Sequence, residues 1–399
     1  MVDVTSETDR KVCIVSQRAN RNKLSSCCGY EFEDVIQSLE NSNLYAPKLK
    51  SFEHWQHRMR RFLCQRTGLF EMMPSGATSR PLADHYDLFA CVVQKPIDIL
   101  SIDALGDWRK KSDMAVCILE EVWPRKIDQY KPLIKSLGRF DLIACSFADS
   151  CERLSELTGK PVIHLPYAVD ALRFMPKKSD VDRPIDIYYL GRRRPELHEA
   201  LMEYTRRNEL FYNYDTFTSL PIATDHQAHR DHLAYMIRHS KLFLVDYAKK
   251  GHSDETDAQV GWGPRHIEGM AAGAVQVGYA PPSADYLENF DWPTAITRLP
   301  EDADAAVDKM SSMLSDPAAL DEMRAQTFAH VGRRHDWLQR WRTITNFFGL
   351  PDTPAMLERQ SAIEALTARL AHQTSDKVIE IDTAHRASKI GRASCRERV

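Results

Sequence analysis

The feature that most constrains this chain is a rhythm. Short, continuously apolar runs alternate with longer amphipathic stretches, and the rhythm breaks once. Lys11-Val12-Cys13-Ile14-Val15-Ser16, Tyr86 to Val93, Ala115 to Leu119, Phe140 to Ser146 and Pro161 to Pro166 read as strands. Strands that do not alternate apolar with polar residues are buried on both faces, which implies a parallel sheet covered by helices. Between them, Tyr30 to Leu39 puts Phe32, Val35, Ile36 and Leu39 on one helical face, and Phe52 to Leu63 and Asp149 to Thr158 read as further helices. The stretch Asp170 to Pro184 is polar and carries Pro176, Lys177, Lys178 and Pro184, so the interdomain linker is expected there. A second alternation follows. Asp186 to Gly191, Leu242 to Val245 and Ala274 to Tyr279 read as strands; Pro195 to Tyr204, Ile267 to Ala272, Ala303 to Leu314, Pro317 to Val331 and Leu338 to Phe348 read as helices. The expected fold is α/β, with two Rossmann-like domains (residues 1–176 and 184–350) facing each other across a cleft and a helical extension over 351–389. Open sheets of this kind bind ligands at the carboxyl ends of their strands.

Composition narrows the partners. The 399 residues suit two domains, and a formal net charge of −3 offers no bulk basic field, so neither nucleic acid nor an anionic membrane is expected as a partner. No apolar run approaches the roughly 18 residues of a transmembrane segment. Met1 to Arg10 is polar and lacks the apolar centre of a secretion signal. Nine cysteines form no C-x-x-C pair, and many sit inside apolar runs, which suits free thiols in the cytoplasm. His226, His229, His232 and His239 do not converge on a metal-ligand spacing, and neither a metal nor a cofactor is expected. Ile390 to Val399 reads as the in-frame translation of a sequencing adapter and is set apart as a non-native tail.

The most informative stretch runs from Gly261 to Gly278. A loop containing Gly261, Gly263 and Pro264 leads into a short helix, then Gly273, then a buried strand. Loop glycines let a backbone approach a ligand, and a helix start offers free amides to phosphate. Arg265 and His266 stand at that start and add charge. Glu268 follows one turn in, where a carboxylate can accept the two hydroxyls of a ribose. Gly273 permits a left-handed helix end. The plainer reading is a loop, helix and strand in which Glu268 only complements the helix dipole. A second candidate is Leu190-Gly191-Arg192-Arg193-Arg194, a strand end that turns at glycine and presents arginines, whose planar guanidinium groups pair with phosphate in two places. In the first half, Glu120 and Glu121 follow the Ala115 to Leu119 strand and are candidates for touching an acceptor or acting as base.

Glu268-Gly269-Met270-Ala271-Ala272-Gly273 resembles the donor-nucleotide motif Glu-Ala-Met-Ala-x-Gly of retaining GT-B glycosyltransferases. The Gly191-Arg192 turn is similar to the loop that opens the donor domain of that family, and Leu165-Pro166-Tyr167-Ala168-Val169-Asp170 to the segment that closes the acceptor domain. The resemblance implies a nucleoside-diphosphate sugar as donor, an unidentified acceptor and transfer with retention. It assigns the ribose to Glu268 and the phosphates to the Gly191, Arg192 and Arg193 loop; with the loop and helix reading above, Gly263, Arg265, His266, Gly269 and Gly273 complete the expected donor-nucleotide site. It also implies that no metal is needed. This chain departs from the family in having Val260 where many members carry an earlier glutamate, with Asp257 and Glu255 nearby as substitutes. It also has Glu196 to Glu199 where a lysine is common. An idle binding module and a sugar-nucleotide epimerase are the competing readings.

Overall fold

The first apolar run forms β1 (Lys11–Val15), whose Val12, Cys13, Ile14 and Val15 are wholly buried. The structure is a computed structural model that describes residues 9–48, 77–178, 180–216, 222–247 and 260–371, with Met59, Phe62, Leu63 and Thr67 between the first two segments. The expected Phe52 to Leu63 helix, Glu255, Asp257 and the Ile390 to Val399 tail lie outside or almost outside the described residues.

β1 is joined by β2 (Asn41–Tyr45), β3 (Tyr86–Val93), β4 (Ser112–Leu119), β5 (Leu142–Cys145) and β6 (Val162–His164) in the order β2-β1-β3-β4-β5-β6. Every pairing is parallel. A second parallel sheet has the order β11-β10-β9-β7-β8, built from β7 (Ile185–Tyr189), β8 (Tyr212–Tyr214), β9 (Ser240–Val245), β10 (Val275–Gly278) and β11 (Thr297–Arg298). Three strands escaped the sequence reading because they are short or polar edge strands: β2 reads NSNLY and has no fully buried residue, while β8 and β11 have only three and two residues. The run Pro161 to Pro166 was expected to be buried. It forms β6, which is half-buried because it is the last strand of its sheet.

Helices α1 (Cys27–Leu39) and α2 (Ala148–Thr158) cover the first sheet. Helices α3 (Pro195–Arg207), α4 (His226–Arg238), α5 (Arg265–Ala271), α6 (Ala303–Leu314) and α7 (Pro317–Arg334) serve the second. Asp225, Asp302 and Asp316 stop the preceding loops by accepting the amides of Ala228, Ala305 and Ala319, which start α4, α6 and α7. The chain then returns. In α8 (Trp337–Phe347), Trp337 stacks on Phe32 of α1 with ring centroids 4.5 Å apart. A last helix, α9 (354–371), places Met356 in the core beneath the first sheet and Ile363, Leu366 and Leu370 in the core of the second domain. This helix is a strap across both domains. No helix among the described residues is long and apolar enough to cross a membrane. All seven described cysteines are free, and six of them are buried.

The hinge between the domains is held by charge. Asp336 accepts the amide of Ala171, and Arg359 on α9 reaches both Asp170 and Asp336 at 2.7 Å. Arg340 donates to the carbonyls of Pro166 and Tyr167 at 2.7 and 3.0 Å. Trp341 is fully buried, and its indole donates to Glu40, which also pairs with Arg10. Replacing Trp341 by Ala opens a cavity and leaves Arg10 as the one remaining donor to that carboxylate among the described residues. The expected loss is about 3–5 kcal/mol, read as a lower urea midpoint.

Candidate functional site

Each sheet reverses its strand order beside its first strand, β1 in one and β7 in the other, and such reversals leave a crevice at the strand ends. At the end of β7 the chain turns at Gly191 with φ of 90°, a conformation that L side chains rarely adopt. The Gly191 amide donates to Asp215, and Arg193 pairs with the same carboxylate at 3.0 Å while its guanidinium lies over the Tyr214 ring. Arg265 arrives from α5 and donates to the Leu190 carbonyl. Its guanidinium lies so close over Gly191 that a Cβ there would collide with it. Two motifs far apart in sequence therefore meet at one strand end. Arg192 is exposed beside them. A side chain at Gly263 would meet nothing within 4 Å among the described residues, so the loop before α5 is open on that side. The helix has seven residues and no side chain caps its start, so the anion-binding capacity here lies with Arg265 and its arginine neighbours.

Glu268 is buried and Oε1 accepts from Nη1 of Arg230 on α4. The rest of that guanidinium grips Glu31 of α1, with Nε to Oε2 at 2.7 Å and Nη2 to Oε1 at 3.0 Å. Glu31 also accepts the Asp170 amide at 2.9 Å and the Trp337 indole at 3.1 Å. Burial alone would lower the pKa of Arg230, but the Glu31 and Glu268 carboxylates push it well above its ordinary value. Neither Glu31 nor Arg230 was singled out from the sequence. A signal existed: Arg230 stands at helical spacing with Leu233, Ala234 and Ile237, all buried, and a charge on an apolar stripe needs a partner.

Other expectations are corrected. His266 is fully buried, packs beside Tyr286 and Phe290, and burial pulls its pKa down to about 4; it is neutral and adds no charge for phosphate. Gly269 faces Phe243 and Gln276 on the sheet, where any Cβ would clash, so its role is close helix–strand packing. Gly273 has φ of 76°, ends α5 at the opposite pole from Arg265 and lies against Phe328, away from the strand-end crevice. Glu120 turns beneath Gly29 of α1 into a cavity of about 10 Å³ shared with Gln17, Ser26, Glu33 and Gln94. That is room for one water and not for an acceptor. Burial, and then the neighbouring Glu33 charge, raise the Glu120 pKa to about 8. Glu121 is half-buried beside the Trp123 indole at 3.5 Å. Val260 is half-buried in the loop before α5. No group of three or more His, Cys, Asp or Glu side chains among the described residues could hold a metal ion.

Residues 192–346 match the family model described as glycosyl transferase-like. No curated protein matches the sequence. Among solved structures, an alpha-glucosyltransferase in complex with UDP-glucose and DNA containing an abasic site superposes with a TM-score of 0.53 at 12% identity, covering 85% of this chain and 99% of that one. An alpha-glucosyltransferase in complex with UDP and a 13-mer DNA containing an HMU base gives 0.52 at 11% identity, covering 85% and 98%. The Anabaena protein Alr3699/HepE, solved with UDP-glucose, gives 0.49 at 11% identity, covering 85% and 99%. At such identities the likeness is one of fold.

The buried carboxyl of Glu120 makes a stability prediction. Its folded pKa is raised from 4.5 to about 8, so between those values the folded chain keeps a proton that the unfolded chain has lost, and stability falls as pH rises through that window. Glu120→Gln, which cannot ionise, is expected to gain melting temperature relative to the parent from about pH 5 to about pH 8. A difference that does not change with pH would show that the carboxyl is not held protonated.

Proposed function

We propose that this chain, which has the GT-B fold and a glycosyl transferase-like second domain, moves a sugar from a nucleoside-diphosphate donor to an acceptor, with retention at the anomeric carbon. The observation that carries this reading is the meeting of Arg265 with the Gly191 turn at the point where the second sheet reverses its strand order. A guanidinium beside a side-chain-free turn suits a diphosphate, and Arg192 and Arg193 stand next to it. Glu268 lies one helical turn from Arg265 on the same helix, and this reading assigns it the ribose of the same nucleotide. Solved structures of this fold that hold UDP or UDP-glucose support a nucleoside diphosphate as the ligand.

In the reaction the bond from the anomeric carbon to the diphosphate oxygen breaks, a bond to an acceptor oxygen forms, and the acceptor hydroxyl's proton passes to the departing diphosphate. Negative charge collects on the departing diphosphate. Arginines already fixed at the strand end stabilise it without reorganising, and closure of the two domains excludes water. Arginine supplies the positive charge in this reading, so the reaction is metal-independent and uses no cofactor besides the donor. The proposal places the chain in the cytoplasm with an acceptor other than nucleic acid. The solved alpha-glucosyltransferases hold DNA, but a formal charge of −3 gives this chain no bulk attraction for a polyphosphate.

The test is a thermal-shift screen against UDP, GDP, ADP and their sugars. A nucleotide at one hundred times its dissociation constant stabilises by about 2.7 kcal/mol, which raises the melting temperature measurably. Glu268→Ala and Arg265→Ala are each expected to weaken binding by about 10- to 100-fold through loss of a charge-assisted contact, and so to shrink the shift to about 0.4–1.4 kcal/mol. No shift with any nucleotide overturns the reading and leaves a binding module.

A further inference from the structure

The Arg230 guanidinium is divided between carboxylates of different domains. Nε and Nη2 form a two-pronged pair with Glu31, and Nη1 donates to Oε1 of Glu268. The side chains of Glu31, Arg230 and Glu268 are 1%, 3% and 4% exposed. Buried ion clusters add little net stability, because desolvation offsets most of the attraction. Geometry gives this one a second use. Only one oxygen of Glu268 is taken by Arg230, and the other makes no hydrogen bond among the described residues. A glutamate tethered by one oxygen has the direction of its other oxygen fixed. The tether is itself rigid. Arg230 lies over the Phe174 ring at 4.6 Å, and the Glu31 it grips is held by the Asp170 amide and the Trp337 indole.

We infer that Arg230 is a positioning residue for donor recognition: anchored on Glu31 of the first domain, it aims Glu268 of the second domain at the two ribose hydroxyls of the nucleotide. This rests on the reading of Glu268 as the ribose ligand. It makes recognition of a second-domain ligand depend on a first-domain carboxylate, so the ribose is held tightly only while the domains are docked through Glu31. The planar fork of arginine is required, because an ammonium cannot hold two carboxylates in fixed directions at once.

The test is calorimetric titration of the full chain with UDP, GDP and ADP, each against its 2′,3′-dideoxy analogue. The parent is expected to prefer the ribose form of its nucleotide by about 10- to 100-fold, the range of hydrogen bonds to a charged group. Glu268→Gln removes most of that preference. Arg230→Lys and Glu31→Gln are each expected to bring the ratio close to one, while affinity for the dideoxy analogue stays within about threefold. A purely structural cluster would lower both affinities together or leave both unchanged. Arg230→Lys and Glu31→Gln retaining the parental ratio, with Glu268→Gln losing it, overturns the inference and leaves the functional reading intact. A parental ratio in Glu268→Gln overturns the ribose assignment, and the inference with it. Melting temperatures are followed throughout, and if Arg230→Lys does not fold, Glu31→Gln decides alone.

Discussion

One carboxylate, Glu31, is the point on which the arrangement of the two domains depends. It sits on α1 of the first domain and accepts hydrogen bonds from the hinge amide of Asp170, from Trp337 on the returning helix and from Arg230 of the second domain. A buried charge is tolerated only when its lone pairs are satisfied, and each donor here comes from a different part of the chain. The domains cannot dock without bringing all of these donors together. The contact is therefore selective for one arrangement, whatever its net contribution to stability.

Around that point the structure separates two kinds of force. Each sheet is stabilised by its own apolar layers, such as Val12 and Ile14 in the first domain and Phe243 and Met270 in the second. The join is mostly polar: Asp34 with His226, Asp336 with Arg359, and Arg340 with the hinge carbonyls. Apolar contact is not absent from the join, since α9 adds Met356 to one core and Ile363 and Leu366 to the other. A polar join around an apolar strap suits domains that keep their relation while their facing edges adjust to a ligand.

The legibility of the site follows from the same division. Gly191 and Arg265 could be read in advance because each belongs to a local pattern, a strand end with glycine and a loop entering a helix. His266, Gly269 and Gly273 belong to the same motif as Arg265, but sharing a motif does not put residues on one face. On a helix, neighbours in sequence point to different faces. The phase that carries Arg265 toward Gly191 leaves His266 beside Tyr286 and turns Gly269 onto the sheet. Glu120 failed in another way. It follows a strand as expected, but the α1 backbone at Gly29 lies over it and closes it off from the crevice.

The sequence by itself determined the two parallel α/β sheets and the glycine turn at the end of β7. Those properties follow from apolar runs and glycine placed within a few residues of one another. Only the tertiary structure decided that Arg265 lies on Gly191, that Arg230 joins Glu31 to Glu268, and that the last helix ties both domains. Each of these needs residues from distant parts of the chain to share a few ångströms. A contact between residues 199 positions apart, as for Arg230 and Glu31, leaves no local pattern beyond a charge standing on an apolar face.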